Sequence, residues 1–142
     1  MKILLAFDGS DYALRAARYL IKLKKDTPAA DITVIVVSEI DEKIEEFLSS
    51  SKLCQDLREA YHKQSRETME KALDVFRSEG IETAAVIKQG LPSKEIAAFA
   101  AEGNFDMIVM GKHGMNDFKG ILIGSNTRQA ISLSNCPVLV VK

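Results

Sequence analysis

The feature that most constrains the fold of this chain is a regular alternation between short apolar runs and longer amphipathic segments. Apolar runs at residues 3–7, 32–37, 81–87, 107–110 and 138–141 predict five strands, buried on both faces. Between them, apolar residues recur at helical spacing. This spacing predicts four helices: from Ser10 to before Pro28, along the stripe Leu57, Tyr61, Thr68, Ala72 and Phe76 to before Gly80, over residues 92–101, and over residues 125–133.

This alternation predicts an α/β fold. Strands joined by helical crossovers run parallel, and strands that are apolar on both faces need helices on both sides of the sheet. We therefore expect a three-layer, doubly wound sandwich around a five-stranded parallel sheet, although the pattern alone does not give the strand order. With 142 residues, 46% of them apolar, we expect one domain spanning residues 1–142. The charged segment 41–52 is predicted to be a mobile surface loop.

Composition argues against several functional classes. A net charge of −1 provides no bulk attraction to nucleic acid or anionic lipid. The apolar runs are far shorter than the roughly 20 residues that span a bilayer, and the run after Met1 is too short for a signal peptide, so we expect the chain to remain in the cytosol. Cys54 and Cys136 are distant in sequence and suggest neither a disulfide framework nor a zinc site, so we expect reduced thiols.

Two loops are candidates for chemistry, because ligands of parallel sheets bind outside the carboxyl ends of the strands. The first loop follows Phe7 and contains Asp8, Gly9 and Ser10. For Asp8 two interpretations are open: it caps the next helix together with Ser10, or it contacts a ligand and its metal ion. The second loop begins at Gly111 and ends at the start of the last helix.

The second loop has the composition of a phosphate site. Gly111, Gly114 and Gly124 allow a ligand to approach the backbone, and the unpaired amides of the following helix favour an anion. Ser125 and Thr127 add hydroxyls that can donate to phosphate oxygens. The alternatives are a structural glycine loop and a Ser125 that only caps the helix. Neither the Walker pattern nor the Rossmann glycine pattern is present.

Other polar residues of the second loop have ordinary interpretations. His113 has no acidic neighbour in the sequence to orient it, so we expect a solvent-exposed loop residue rather than a catalytic acid or base. Lys112, Lys119 and Arg128 either balance phosphate charge or are simply solvated.

These motifs carry a family resemblance. The pattern of Gly, two residues, Gly, nine residues, Gly and Ser runs from Gly111 to Ser125, and the chain closes on Asn-Cys-Pro-Val-Leu-Val-Val-Lys at 135–142. Together with the opening Ile-Leu-Leu-Ala-Phe-Asp-Gly-Ser at 3–10, it resembles the universal stress protein family, in its ATP-binding branch. The resemblance extends over the whole chain.

The resemblance implies a strand order of 3-2-1-4-5 and an ATP, or AMP or ADP, bound with Mg²⁺ at the carboxyl edge of the sheet. By position, two residues line the adenine, an acidic residue lies near the adenosine, and the glycine loop and helix start surround the ribose and phosphates. The implied nucleotide-binding residues are Ala6, Asp8, Val37, Met110, Gly111, Gly114, Gly124, Ser125, Asn126 and Thr127. Asn126 departs from the family, which often has an apolar residue there.

By the same resemblance we expect a cytosolic stress-response or regulatory protein without catalytic residues, at most a slow ATPase. Under the implied order, the apolar residues 136–141 form an edge strand, which predicts a homodimer through strand pairing. One alternative is an ATP pyrophosphatase or nucleotidyl-transfer enzyme, whose Ser-Gly-Gly-x-Asp-Ser loop the residues Asp8 to Asp11 only faintly resemble. A response-regulator-like receiver is another, but it requires an acidic pair where Asp8 stands alone.

Overall fold

A computed structural model describes residues 1–39, 46, 51–115 and 122–142, and within them the predicted alternation is confirmed. The strands are β1 (Lys2–Ala6), β2 (Asp31–Ser38), β3 (Ala84–Gln89), β4 (Met107–Gly111) and β5 (Val138–Val141). The helices described in full are α1 (Asp11–Asp26), α2 (Lys52–Arg77), α3 (Pro92–Glu102) and α4 (Ser125–Leu133). Most of the predicted loop 41–52 lies outside the described residues.

The five strands form one parallel sheet in the order β3-β2-β1-β4-β5, as the resemblance implied. β1 is central: Ala6, its last residue, is level with Ile35 of β2 and Met110 of β4. β2 continues for three residues beyond that level, to Ser38. The carboxyl ends of β1, β2 and β4 therefore meet at one edge of the sheet.

Helices cover both faces of the sheet, as predicted. Leu5 and Val34 face α1 and α2 and pack in one cluster with Leu20 and Phe76. Their neighbours Leu4 and Ile35 face the opposite side and pack with residues of α3 and α4, including Ile96 and Ala130. Because side chains alternate along a strand, consecutive apolar residues are needed to supply both clusters.

The prediction for the third strand was partly wrong. β3 begins at Ala84 rather than at Ile81, and it lies at the edge of the sheet, where no residue of it is fully buried. Ile81 instead donates its amide to the carbonyl of Phe76 at 3.0 Å and packs against the α1–α2 cluster. An apolar residue that closes a helix end therefore resembled the start of a strand.

The predicted apolar stripe of α2 is also corrected. Ala72 and Phe76 are buried, but Leu57 and Tyr61 are 37% and 38% exposed. A helix of 26 residues is about 39 Å long, whereas the 8 residues of β2 extend about 26 Å. The first turns of α2 therefore project beyond the strand ends, where no sheet covers them.

None of the helices in the described part of the chain is long and apolar enough to cross a bilayer. Cys54 and Cys136 are both free thiols, as expected.

The close packing of α1 on β4 requires a glycine at position 111. A Cβ at this position would lie 2.7 Å from both the carbonyl carbon and the Cβ of Tyr12, and 2.9 Å from the amide nitrogen of Ala13. Real Cβ atoms do not come this close to backbone, so α1 approaches β4 only because residue 111 is glycine. On the side where a Cβ would lie, the space is filled by α1.

We predict that Gly111→Ala lowers the free energy of unfolding by about 1–3 kcal/mol, because α1 must shift away from β4. Urea denaturation measures the change. The control is Lys112→Ala at the next residue, which should cost less than about 0.5 kcal/mol. Equal stability of wild type and Gly111→Ala would contradict this packing.

Candidate functional site

A cleft of about 950 Å³ opens at the carboxyl edge of the sheet. Its floor is formed by the strand ends, including Ala6 of β1, Val37 of β2 and Met110 of β4. One wall is the projecting part of α2, and the others are the first residues of α3 and α4. Its volume is that of an ordinary small-molecule site, and its location is the one expected for ligands of a doubly wound sheet.

The structure brings nearly all of the predicted site residues together. Nine of the ten line the cleft: Ala6, Asp8, Val37, Met110, Gly111, Gly114, Ser125, Asn126 and Thr127. Gly124 is buried; it occupies the N-cap position of α4 and donates its amide to the carbonyl of Lys112 at 2.9 Å. The glycine motif and the first loop therefore belong to one site, although they are a hundred residues apart in sequence.

The two helices that start in this cleft have no side-chain cap. α4 follows Gly124 and α3 follows Leu91, and neither residue provides a capping hydrogen bond. Ser125 is the first residue of α4 rather than its cap, which corrects the capping interpretation, and its exposed side chain lines the cleft. By contrast, α1 and α2 are capped by the hydroxyls of Ser10 and Ser51. Uncapped helix starts present amide hydrogens and a positive dipole end, which favour an anion.

Asp8 joins the two loops and does not cap α1. Its Oδ1 accepts a hydrogen bond from the amide of Ser10 at 2.9 Å, and its Oδ2 accepts one from the amide of Met115 at 3.1 Å. The cap is Ser10, whose hydroxyl accepts from the amide of Ala13 and donates to the carbonyl of His113. Gly9, with a φ of 84°, allows the tight turn between them. Asp8 and Ser10 thus both hold the segment after β4 against the start of α1.

His113 was predicted to be a solvent-exposed loop residue, and this prediction was wrong. The side chain is 9% exposed, and its ring meets the ring of Tyr12 edge-on at 5.3 Å between centroids. Its Nδ1 is buried and has no hydrogen-bond partner. Tyr12 is on α1, and the sequence pattern does not reveal the close packing of α1 on β4 that brings the two rings together.

Sequence reasoning missed the α2 wall of the cleft. Tyr61, Gln64, Ser65 and Thr68 line it from positions i, i+3, i+4 and i+7, which form one face of the helix. Tyr61 and Thr68 belong to the predicted stripe of this helix, but that spacing does not reveal that they line a cleft. Ser38 was also missed: it ends β2, is 4% exposed, and its hydroxyl has no hydrogen-bond partner.

The charged side chains that line the described part of the cleft are acidic. They are Asp8 and Glu39, whereas Lys112 and Arg128 do not line it and Lys119 lies outside the described residues. The favourable electrostatics for an anion therefore come from the helix starts. In the described ranges, no three His, Cys, Asp or Glu side chains are grouped in a way that would hold a metal ion.

Comparison with known proteins agrees with the family resemblance of the sequence. The model of the Universal stress protein family matches residues 1–142. The universal stress protein MJ0531 of Methanocaldococcus jannaschii is 30% identical over 141 residues, covering 99% of this chain and 81% of that protein.

Solved structures agree in fold. That of MJ0577, from the same organism, is 30% identical with a TM-score of 0.84, and the match covers 99% of this chain and 94% of that one. The universal stress protein of Archaeoglobus fulgidus, solved in complex with dAMP, is 25% identical with a TM-score of 0.70, and the match covers 100% of this chain and 98% of that one.

Thr127 provides a test of how the site is held together. It is 3% exposed, and its hydroxyl donates to the carbonyl of Gly111 at 3.1 Å, which ties the start of α4 to the end of β4. The hydroxyl hydrogen of Thr127 is therefore donated to the backbone of the protein itself.

We predict that Thr127→Val, which keeps the shape and removes the donor, lowers the free energy of unfolding by about 1–3 kcal/mol because the carbonyl of Gly111 loses its partner. Thr127→Ser keeps the hydroxyl and should retain most of this stability. Chemical denaturation of both variants measures the difference. If valine were tolerated as well as serine, the hydrogen bond would not stabilise the site.

Proposed function

This chain belongs to the universal stress protein family, and we propose that its cleft binds an adenine nucleotide, ATP or its AMP and ADP forms, as a stress-response or regulatory protein. The observation that carries the proposal is the start of α4, which has no side-chain cap. It follows the last glycine of the motif in the sequence and lines the cleft. The dAMP complex of the related Archaeoglobus fulgidus protein supports it.

The residues present fit such a ligand. Ala6, Val37 and Met110 offer an apolar surface for the base at the strand ends. The amides of residues 125–127 and the exposed Ser125 hydroxyl suit the phosphates, because a helix start stabilises negative charge. We assign Gly111, Gly114, Gly124 and Asn126 to the backbone surface around the ribose and phosphates.

Mg²⁺ is proposed only as a companion of the nucleotide. Asp8 lines the cleft in the loop after β1, and a carboxylate together with phosphate oxygens is a usual Mg²⁺ environment. When bound, the ion would neutralise phosphate charge.

We propose that the cleft has no catalytic residue. Any hydrolysis of ATP should therefore be slow. His113 packs against Tyr12, and the side chains of Asp8 and Ser10 hold the loops together. These contacts argue for a site that binds rather than one that transfers groups. The proposed place of action is the cytosol, where free thiols such as Cys54 and Cys136 remain reduced.

A homodimer through β5 is part of the proposal. β5 is an edge strand whose four residues are all only partly buried. An exposed apolar edge is prone to pair with another strand, and a twofold pair of β5 strands would cover both edges.

We predict that Mg-ATP at about a hundredfold above its dissociation constant stabilises the protein by about 2.7 kcal/mol, or on the order of 10 °C in melting temperature. Gly124→Val should abolish this shift, because a branched side chain at the buried cap displaces the start of α4. Differential scanning calorimetry measures both.

The control for that variant is Gly80→Ala, at a turn with a φ of 70° and no atom within 4 Å of the new Cβ. It should lower the melting temperature of the free protein and keep the full shift with Mg-ATP. A wild type that shows no shift with ATP, ADP or AMP would refute the proposed function.

For the dimer, Val140→Pro is the sharpest variant. The carbonyls of Pro137 and Val141 accept hydrogen bonds from the β4 side, so the amide of Val140 points away from β4, to the free edge. Proline removes this donor without breaking the sheet within the protomer.

We predict that the wild type is a dimer in sedimentation at micromolar concentration and that Val140→Pro is a folded monomer. The control is Val140→Thr, which keeps the amide and should remain a dimer. A wild-type monomer would overturn the dimer.

A further inference from the structure

We propose that the hydroxyl of Ser38 is a hydrogen-bond partner of the nucleotide base, and that it contributes to the preference of the cleft for a nucleotide over a bare sugar phosphate. This inference rests on the proposed function. Ser38 lines the cleft, its side chain is nine-tenths buried or more, and its hydroxyl has no hydrogen-bond partner. Its backbone carbonyl is already used, since it accepts from the amide of Gly90 at 3.0 Å.

An unpaired buried hydroxyl is unfavourable in the free protein. It has lost its hydrogen bonds to water and gained none from the protein, and such groups in native structures call for an explanation. A ligand that supplies a donor or acceptor removes this penalty. The hydroxyl of Ser38 is therefore a group whose pairing contributes to binding rather than to folding.

The order of the strands places Ser38 at the base end of the cleft. The start of α4, where the phosphates are proposed to bind, follows the loop from β4. β2 is two strands away from β4, or about 10 Å at the usual strand spacing. A nucleotide with its phosphates at α4 therefore extends its base across the end of β1 toward β2.

The local surroundings agree with a base rather than a phosphate. Ser38 is the last of the three residues of β2 that rise beyond the end of β1, directly after the apolar Val37. Val37 packs on the α3–α4 side, so Ser38 faces α2, where Tyr61 and Ser65 also line the cleft. Glu39 follows it and repels phosphate. A hydroxyl both donates and accepts, so it suits a ring nitrogen or an exocyclic amine.

The test is a comparison of two ligands on the intact protein. AMP and ribose 5-phosphate share the sugar and the phosphate, and only AMP has the base. Their dissociation constants for the wild type and Ser38→Ala are measured by calorimetry and by phosphorus NMR titration. We expect Ser38→Ala to weaken AMP binding about 3- to 10-fold, the usual effect of one hydrogen bond, and to change ribose 5-phosphate binding by less than about twofold.

For the stability of the free protein, Ser38→Ala is expected to have no unfavourable effect. Without ligand, Ser38→Ala should be at least as stable as the wild type, because it removes an unpaired buried hydroxyl. The matched control is Thr83→Val. Thr83 also has a buried, unpartnered hydroxyl, but it does not line the cleft. This variant should likewise keep its stability, and it should bind AMP as tightly as the wild type.

Three results would overturn the role of Ser38. They are AMP affinity that is unchanged in Ser38→Ala, an equal loss of affinity for both ligands, and a clear loss of stability without ligand, which would indicate a structural hydroxyl. Failure of the proposed function is a different result: the wild type would then bind neither AMP nor ribose 5-phosphate.

Discussion

The structure depends on the parallel pairing of β1 between β2 and β4. This central strand has consecutive apolar residues, and Leu4 and Leu5 anchor the two opposite core clusters. Since all strands run in the same direction, their carboxyl ends gather at one edge, and each crossover helix begins at that edge. The sheet thus brings Asp8 and the glycine motif together and directs helix starts toward the same cleft.

Three polar side chains at this edge hold it together. Asp8 binds the amide of Met115, Ser10 binds the carbonyl of His113, and Thr127 binds the carbonyl of Gly111. These contacts fix the segment after β4 and the start of α4 relative to α1. The groups left for a ligand include the backbone of the helix starts without side-chain caps, an apolar floor, the exposed hydroxyl of Ser125 and the unpaired hydroxyl of Ser38. Such a surface suits a molecule with a flat apolar part and an anionic tail, because helix amides bind negative charge without a lysine or arginine.

Much of the fold follows from the sequence, and the exceptions have physical causes. The fourth helix and the fifth strand agree with their predicted ranges, and β1 and β4 are within one residue of theirs, because short apolar runs and a helix start at Ser125 are strong local signals. β3 and the apolar stripe of α2 were misjudged, since apolar spacing does not reveal that a strand lies at an edge or that a helix projects beyond the sheet. For the site, the motif predicted which loops meet. It did not predict the burial of His113 or the wall formed by α2, both of which depend on packing between distant elements.

The amides at the start of α4 are proposed to receive the phosphates of the nucleotide. Amide chemical shifts of the ¹⁵N-labelled protein test it directly, in parallel titrations with ATP and with adenosine, which lacks the phosphates. We expect ATP to move the amide protons of Ser125, Asn126 and Thr127 strongly downfield and adenosine to leave them nearly unchanged, while both ligands shift Ala6 and Val37. Equal shifts at residues 125–127 with the two ligands, or none with ATP, would contradict the claim.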